Sequence, residues 1–343
     1  MPALPHCPGA SPSRLRWLFL SLCWIVAVPS PTDGSQDPIE GGLSPGVVVG
    51  NGRRPPDDVD LRDWLNNMVT HHRFTPDEAA LAMDMTAAEV RQALRRFEIP
   101  ETADSSVPSD PAAPLSVLPY PGGRHPRLGF FDGAIAPQRE TKASVFLPWD
   151  RTAYVVVDVP EAIFSNLGLT YLAHTHIPTI WDPQGIRLPT LEWRRTGSGT
   201  LVMERSLPNG IAFGSEVSSQ TNGVRFRLWL RNGTTNALSG LRVQNCVMLG
   251  RAPEFAPQTL TNKVFSAPFA AVKSRHGQRW VITAWQHCGR AWGNEQVPCL
   301  HSDPVFPDCA PAQTVQVKGW LSFFEGAAVQ PEFERLRRAG VIE

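Results

Sequence analysis

From residue 126 onward, apolar and polar positions alternate with a period near two, in short runs broken by turn residues. Val155-Val156-Val157-Asp158-Val159 is a β-branched strand, and Tyr171 to Trp181 reads as another. Leu191 to Arg195 and Thr200 to Arg205 flank Thr196-Gly197-Ser198-Gly199, a hairpin with a glycine-rich turn. Ile211 to Ser218, Val224 to Arg231, Leu241 to Leu249, Trp280 to Trp285 and Thr314 to Glu325 continue the series. The pattern predicts a mainly β chain, with a large antiparallel β-sandwich over residues 126–326. Within Val224 to Arg231, Val224, Phe226, Leu228 and Leu230 share one face, and Arg225, Arg227, Trp229 and Arg231 share the other.

Residues 57–100 have helical spacing instead. Asp60 precedes Leu61, Trp64, Leu65 and Met68. Thr75-Pro76-Asp77-Glu78 has the residues of a helix start, and Thr86 with Glu89 forms a capping box ahead of Val90, Leu94 and Phe97. This predicts a small helical module between two linkers, 37–56 and 101–125. A C-terminal helix falls within 327–343, carried by Glu332 to Ala339.

Residues 1–36 read as a signal peptide or N-terminal anchor. Arg14 and Arg16 precede an uncharged run from Trp17 to Val28, ended by Pro29-Ser30-Pro31. As a helix that run spans only about 18 Å, short for a membrane crossing, and no other transmembrane span is predicted. Leu22 before Cys23 does not fit a lipobox. The expected location is therefore secreted, periplasmic or in the cell envelope. The formal net charge of +0 gives no global field to gather phosphates, which argues against nucleic acid as the main partner. Eleven Trp against three Tyr supply flat apolar faces suited to sugar rings as well as to a core, so carbohydrate is the expected partner.

Candidate chemistry concentrates in two stretches. In Tyr171-Leu172-Ala173-His174-Thr175-His176-Ile177, alternation puts His174 and His176 on one strand face about 7 Å apart, able to serve one substrate or one divalent metal. Glu192, Glu204, Glu216, His287 and His301 are candidates for a further ligand, and His174, His176 and His287 form the predicted metal set. The alternative is a pair of solvated histidines. Trp285 to Glu295, with its extension to His301-Ser302-Asp303, reads as a long polar loop. There His287 would act as acid or base, Arg290 would hold a carboxylate or hydroxyl, and Trp285 or Trp292 would stack a sugar, with His301 in the same site. Cys246, Cys288, Cys299 and Cys309 predict one or two disulfides in an exported protein; zinc held by some of His287, Cys288, Cys299, His301 and Cys309 is the competing reading. The Arg227–Trp229 stripe would grip an acidic sugar or polyanion, or would simply be a solvated outer face.

Two stretches resemble known families. FTPDEAALAMDMTAAEVRQALRRFEI (74–99) resembles a helix-turn-helix unit, with Arg91, Arg95 and Arg96 on its last helix. DNA binding would follow only for a chain that stays in the cell; otherwise the module is for packing. FRLWLRNGTTNALSGLRVQNCVMLG (226–250) and APAQTVQVKGWLSFFEG (310–326) resemble strands of the galactose-mutarotase-like supersandwich proteins. That resemblance implies a sugar cleft with histidine acid/base chemistry. The family's histidine signature is replaced here by Val243-Gln244-Asn245-Cys246, so the roles would fall to His174, His176 and His287, with Glu216 or Asp303 as carboxylate partner. The expected function is an exported carbohydrate-active protein, lyase-, epimerase- or hydrolase-like. The alternatives are a non-catalytic carbohydrate-binding envelope protein and a metal-binding structural or regulatory protein.

Overall fold

A computed structural model describes residues 52–102, 113–123, 139–173, 177–295 and 297–343. The predicted N-terminal signal or anchor segment, and His174 and His176, lie outside these residues. The described chain is mainly β and forms two antiparallel sheets.

Strands are numbered in chain order. The seven-stranded sheet contains β1 (Val117–Pro119), β2 (Lys142–Leu147), β3 (Asp150–Ser165), β4 (Gly168–Leu172), β9 (Arg242–Met248), β13 (Cys288–Trp292) and β14 (Cys299–Pro304). Its order is β1-β2-β3-β9-β14-β13, with β4 also on β3. The eight-stranded sheet contains β5 (Arg194–Arg195), β6 (Leu201–Ser206), β7 (Ala212–Gln220), β8 (Gly223–Arg231), β10 (Lys263–Ser266), β11 (Phe269–Lys273), β12 (Arg279–Trp285) and β15 (Thr314–Glu325). Its order is β10-β11-β12-β15-β8-β7-β6-β5.

The inner faces meet in one core. Val155, Val157 and Val247 from the first sheet pack with Phe213, Phe226, Leu228, Val281 and Leu321 from the second. Alternate residues of both sheets are also buried on the far side, because helices cover them. Helices α1 (Asp58–Leu65), α2 (Pro76–Met83) and α3 (Ala87–Arg96) build a core of Leu65, Met68, Phe74, Met83, Val90 and Leu94. They reach the first sheet through His72, whose Nε2 lies 2.7 Å from Ser144 Oγ and whose ring centroid lies 4.8 Å from that of Tyr154. Helix α4 (Gln330–Arg338) lays Phe333 over Phe269 of the second sheet, ring centroids 4.9 Å apart. A strand buried on both faces reads as an unbroken apolar run, which is why β3 was legible as a strand and its inner face was not.

The predicted capping box of Thr86 with Glu89 forms, and Thr75, the predicted start of α2, proves to form a second one with Glu78; Asp57, rather than Asp60, caps α1. Arg91 and Arg96 of α3 pair with Asp77 (3.3 Å) and Asp58 (2.6 Å). The predicted linker 101–125 includes β1, which pairs with β2. Three expectations change. The strand placed over Tyr171 to Trp181 ends at Leu172, and a 3-10 turn follows at Asp182–Gln184. The long polar loop after Trp285 is instead the antiparallel pair β13–β14, whose small and polar residues hid a strand signal. No disulfide joins Cys246, Cys288, Cys299 and Cys309. Among the described residues no helix is long and apolar enough to cross a membrane.

Candidate functional site

Helix α4 covers only part of the outer face of the eight-stranded sheet. Beyond it, β6, β7, β8 and β15 leave a groove of about 490 Å³ lined by Glu204, Glu216, Arg227, Trp229, Arg231 and Arg194. The alternation of β8 places it there: Phe226, Leu228 and Leu230 enter the core, so Arg227, Trp229 and Arg231 must point out. Trp229 lies over its cross-strand partner Gly214; a β-carbon there would sit 2.6 Å from both Cε2 and Cζ2 of the indole. Only a glycine lets the ring lie down on the sheet.

Beside the indole, Arg227 forks onto Glu216. Its Nε donates to Oε2 at 2.9 Å, its Nη2 donates to Oε1, and its Nη1 reaches Gln316 Oε1 at 3.3 Å. The hydrogen bonds to the Glu216 carboxylate raise the Arg227 pKa. Glu204, Arg194 and Arg231 are exposed around it.

The other candidate platforms are covered. Trp285 is 1% exposed in the inter-sheet core, its ring centroid 5.7 Å from Phe226, and cannot stack a ligand. Trp292 stacks on His301, ring centroids 4.1 Å apart, with the Arg290 guanidinium 4.4 Å from its centroid. In two other grooves, Arg279 lies over Trp149 at 4.5 Å and Arg139 over Trp64 at 4.1 Å. Among the described residues, no ring or cation stacks on Trp229.

The described site residues from the sequence fall into separate places. Glu216, Arg227 and Trp229 share the outer face of the eight-stranded sheet. Arg290, Trp292, His301 and Asp303 belong to β13 and β14 of the other sheet. His287 is exposed in the turn between β12 and β13, with a left-handed φ of 50°. Among the described residues, no side-chain hydrogen bond or ion pair joins His287 to Glu216 or Asp303. Glu216 is engaged by Arg227, and Asp303 accepts from Trp292 Nε1 at 2.5 Å and from the Asn245 backbone at 3.1 Å.

A buried cluster brings Cys299 and His301, two of the residues in the zinc reading of the sequence, together with Cys246, which that reading left out. The cross-strand row Asp158–Cys246–His301–Trp292 runs over β3, β9, β14 and β13 on the outer face of the seven-stranded sheet. His301 Nε2 lies 3.1 Å from Cys299 Sγ, and its Nδ1 lies 3.6 Å from Asp303 Oδ1 and 3.9 Å from Glu161 Oε2. Burial alone would lower the His301 pKa; the negative charge offered by Cys299, Asp303 and Glu161 outweighs it and pushes the value up to about 10. Among the described residues, ligand atoms of Cys246, Cys299 and His301 lie within 4.8 Å of one another, a possible metal-binding group. It does not include His287, and it does include Cys246, which no local spacing relates to Cys299 and His301.

No protein-family model matches the chain, and no curated protein does. Among solved structures, the chain is similar to the Slr1438 protein of Synechocystis sp. PCC 6803, with 10% identity and a TM-score of 0.33, over 54% of this chain and 87% of that one. It is also similar to a human-microbiome protein described as a kojibiose phosphorylase, with 6% identity and a TM-score of 0.28 over 42% of this chain. That match spans 20% of the phosphorylase's own length. The chain is thus a two-sheet antiparallel β protein with an open aromatic face, and membership of the galactose-mutarotase-like family is not established.

Proposed function

We propose that the chain is an exported carbohydrate-binding β-sandwich protein whose sugar-contacting surface is the groove around Trp229. One observation carries the reading: Trp229 is held flat over Gly214 with no described ring or cation covering it. An indole face offers a broad apolar surface to the C–H groups of a pyranose ring. Around it stand the charged groups that would bond hydroxyls, the Glu216–Arg227 fork and Glu204. Arg194 and Arg231 at the rim favour an acidic saccharide, such as a uronate-containing glycan, over a neutral one.

Binding fits this geometry better than turnover does. Acid/base catalysis needs a titrating group within reach of the reacting proton. The groove's two carboxylates are Glu204 and Glu216, the second locked in its ion pair, and His287 belongs to a turn elsewhere. A glycan array of acidic and neutral saccharides tests the reading. The intact chain should bind acidic glycans, and Trp229→Ala should lose that binding. No saccharide bound, or binding unchanged in Trp229→Ala, would overturn it.

A further inference from the structure

We propose that Cys246, Cys299 and His301 supply three of the four ligands of a site for one soft divalent cation, Zn²⁺ by choice of ligands, that fastens β9 to β14, water taking the fourth position. The site is on the opposite sheet from Trp229 and is independent of the sugar reading.

The strand register builds it. His301 and Cys246 are direct cross-strand partners, and Cys299 is two residues from His301 on the same face. All three are buried, at 0%, 0% and 1% exposure. Their ligand atoms already lie within 4.8 Å of one another. In a tetrahedral zinc site with Zn–S about 2.3 Å and Zn–N about 2.0 Å, ligand atoms sit roughly 3.6 Å apart. Side-chain rotations of less than an ångström or so, on the order of normal packing adjustments, would close the group around an ion.

The surroundings hold the imidazole in the orientation a ligand needs. Its Nε2 faces Cys299 Sγ, while Nδ1 faces the carboxylates of Asp303 and Glu161. Trp292 stacks on the ring and its Nε1 donates to Asp303, fixing that carboxylate in turn. A metal-bound histidine is commonly oriented in this way, by a carboxylate at its second nitrogen. Two thiolates and a neutral imidazole match Zn²⁺ in softness and leave no net charge on the buried ion–ligand set. The other two described cysteines are placed differently. Cys288 accepts from Ser302 Oγ at 3.4 Å, and Cys309 donates to the Gln313 carbonyl at 3.3 Å.

The test is a titration of the metal-stripped full chain with Co²⁺, then displacement by Zn²⁺. The expected result is one equivalent of Co²⁺, with a near-ultraviolet charge-transfer band of the intensity of two thiolates and the visible bands of a tetrahedral ion. One equivalent of Zn²⁺ should erase both and raise the unfolding temperature. Cys246→Ser and Cys299→Ser should each lose the two-thiolate spectrum, and Cys288→Ser should keep it. A wild-type chain with no thiolate-to-cobalt band overturns the proposal, as does a band that survives in Cys246→Ser. Should a serine variant fail to fold, the wild-type band decides alone: two-thiolate intensity supports the site, and its absence refutes it.

Discussion

Trp229 on β8 and Gly214 on β7 are direct cross-strand partners, and the missing side chain of the glycine is the seat on which the indole lies. The same device recurs where Gly319 faces Trp285 and where Gly223 lies under Trp320. Those two tryptophans are buried. Of these three indoles, the one over Gly214 is the one left partly exposed.

Gly214→Ala should therefore damage stability and binding together. The new methyl would stand 2.6 Å from the Met203 carbonyl oxygen and from the indole, and overpacking of this kind costs about 1–3 kcal/mol. Denaturant unfolding and glycan binding check it. A variant that keeps its stability and its affinity would show that the ring has no need of the glycine.

Trp285→Ala should behave as a core deletion. A loss of about 3–5 kcal/mol is expected from removing a buried indole, read by denaturant unfolding. At temperatures where the variant remains folded, its sugar affinity should equal that of the wild type. A selective loss of binding with normal stability would restore Trp285 as a ligand platform.

Lys142 and Asp158 form an ion pair of 3.1 Å with both side chains 0% exposed. Breaking such a pair strands a buried charge, whereas replacing both partners by apolar groups of similar volume removes the problem. Lys142→Met alone should cost about 3–5 kcal/mol, and adding Asp158→Leu should restore most of it. Equal stability of the single and double variants in chemical unfolding would contradict this.

Asp182 supplies an acid-sensitive turn. The Thr179 hydroxyl and then its backbone N–H, each 2.7 Å from Oδ2, hold the carboxyl below its ordinary range. A depressed carboxyl pKa adds stability that is present above the unfolded value, about 3.9, and fades as pH falls through the folded value. Asp182→Asn should therefore lose a little stability at neutral pH and show a shallower decline below about pH 4. Identical slopes for both proteins in thermal melts across that range would contradict the assignment.

The sequence disclosed what alternation discloses. On β8 strict alternation assigned Arg227 and Trp229 to the outer face, and the Thr-x-x-Glu signals marked the starts of α2 and α3. On β12 the run from Trp280 to Trp285 is apolar on both faces because α4 covers the outer one, so nothing in the sequence said which way Trp285 points. The Cys246–His301 meeting was hidden for another reason. Fifty-five positions separate them, and only the pairing of β9 with β14 brings them together.

Calorimetric titration of wild type and Trp229→Ala with the saccharide best bound on the array tests the central claim most directly. The account predicts at least about a tenfold weaker affinity in the variant, equivalent to about 1.4 kcal/mol or more, with the thermal unfolding profile unchanged. Equal affinities in the two proteins would contradict it.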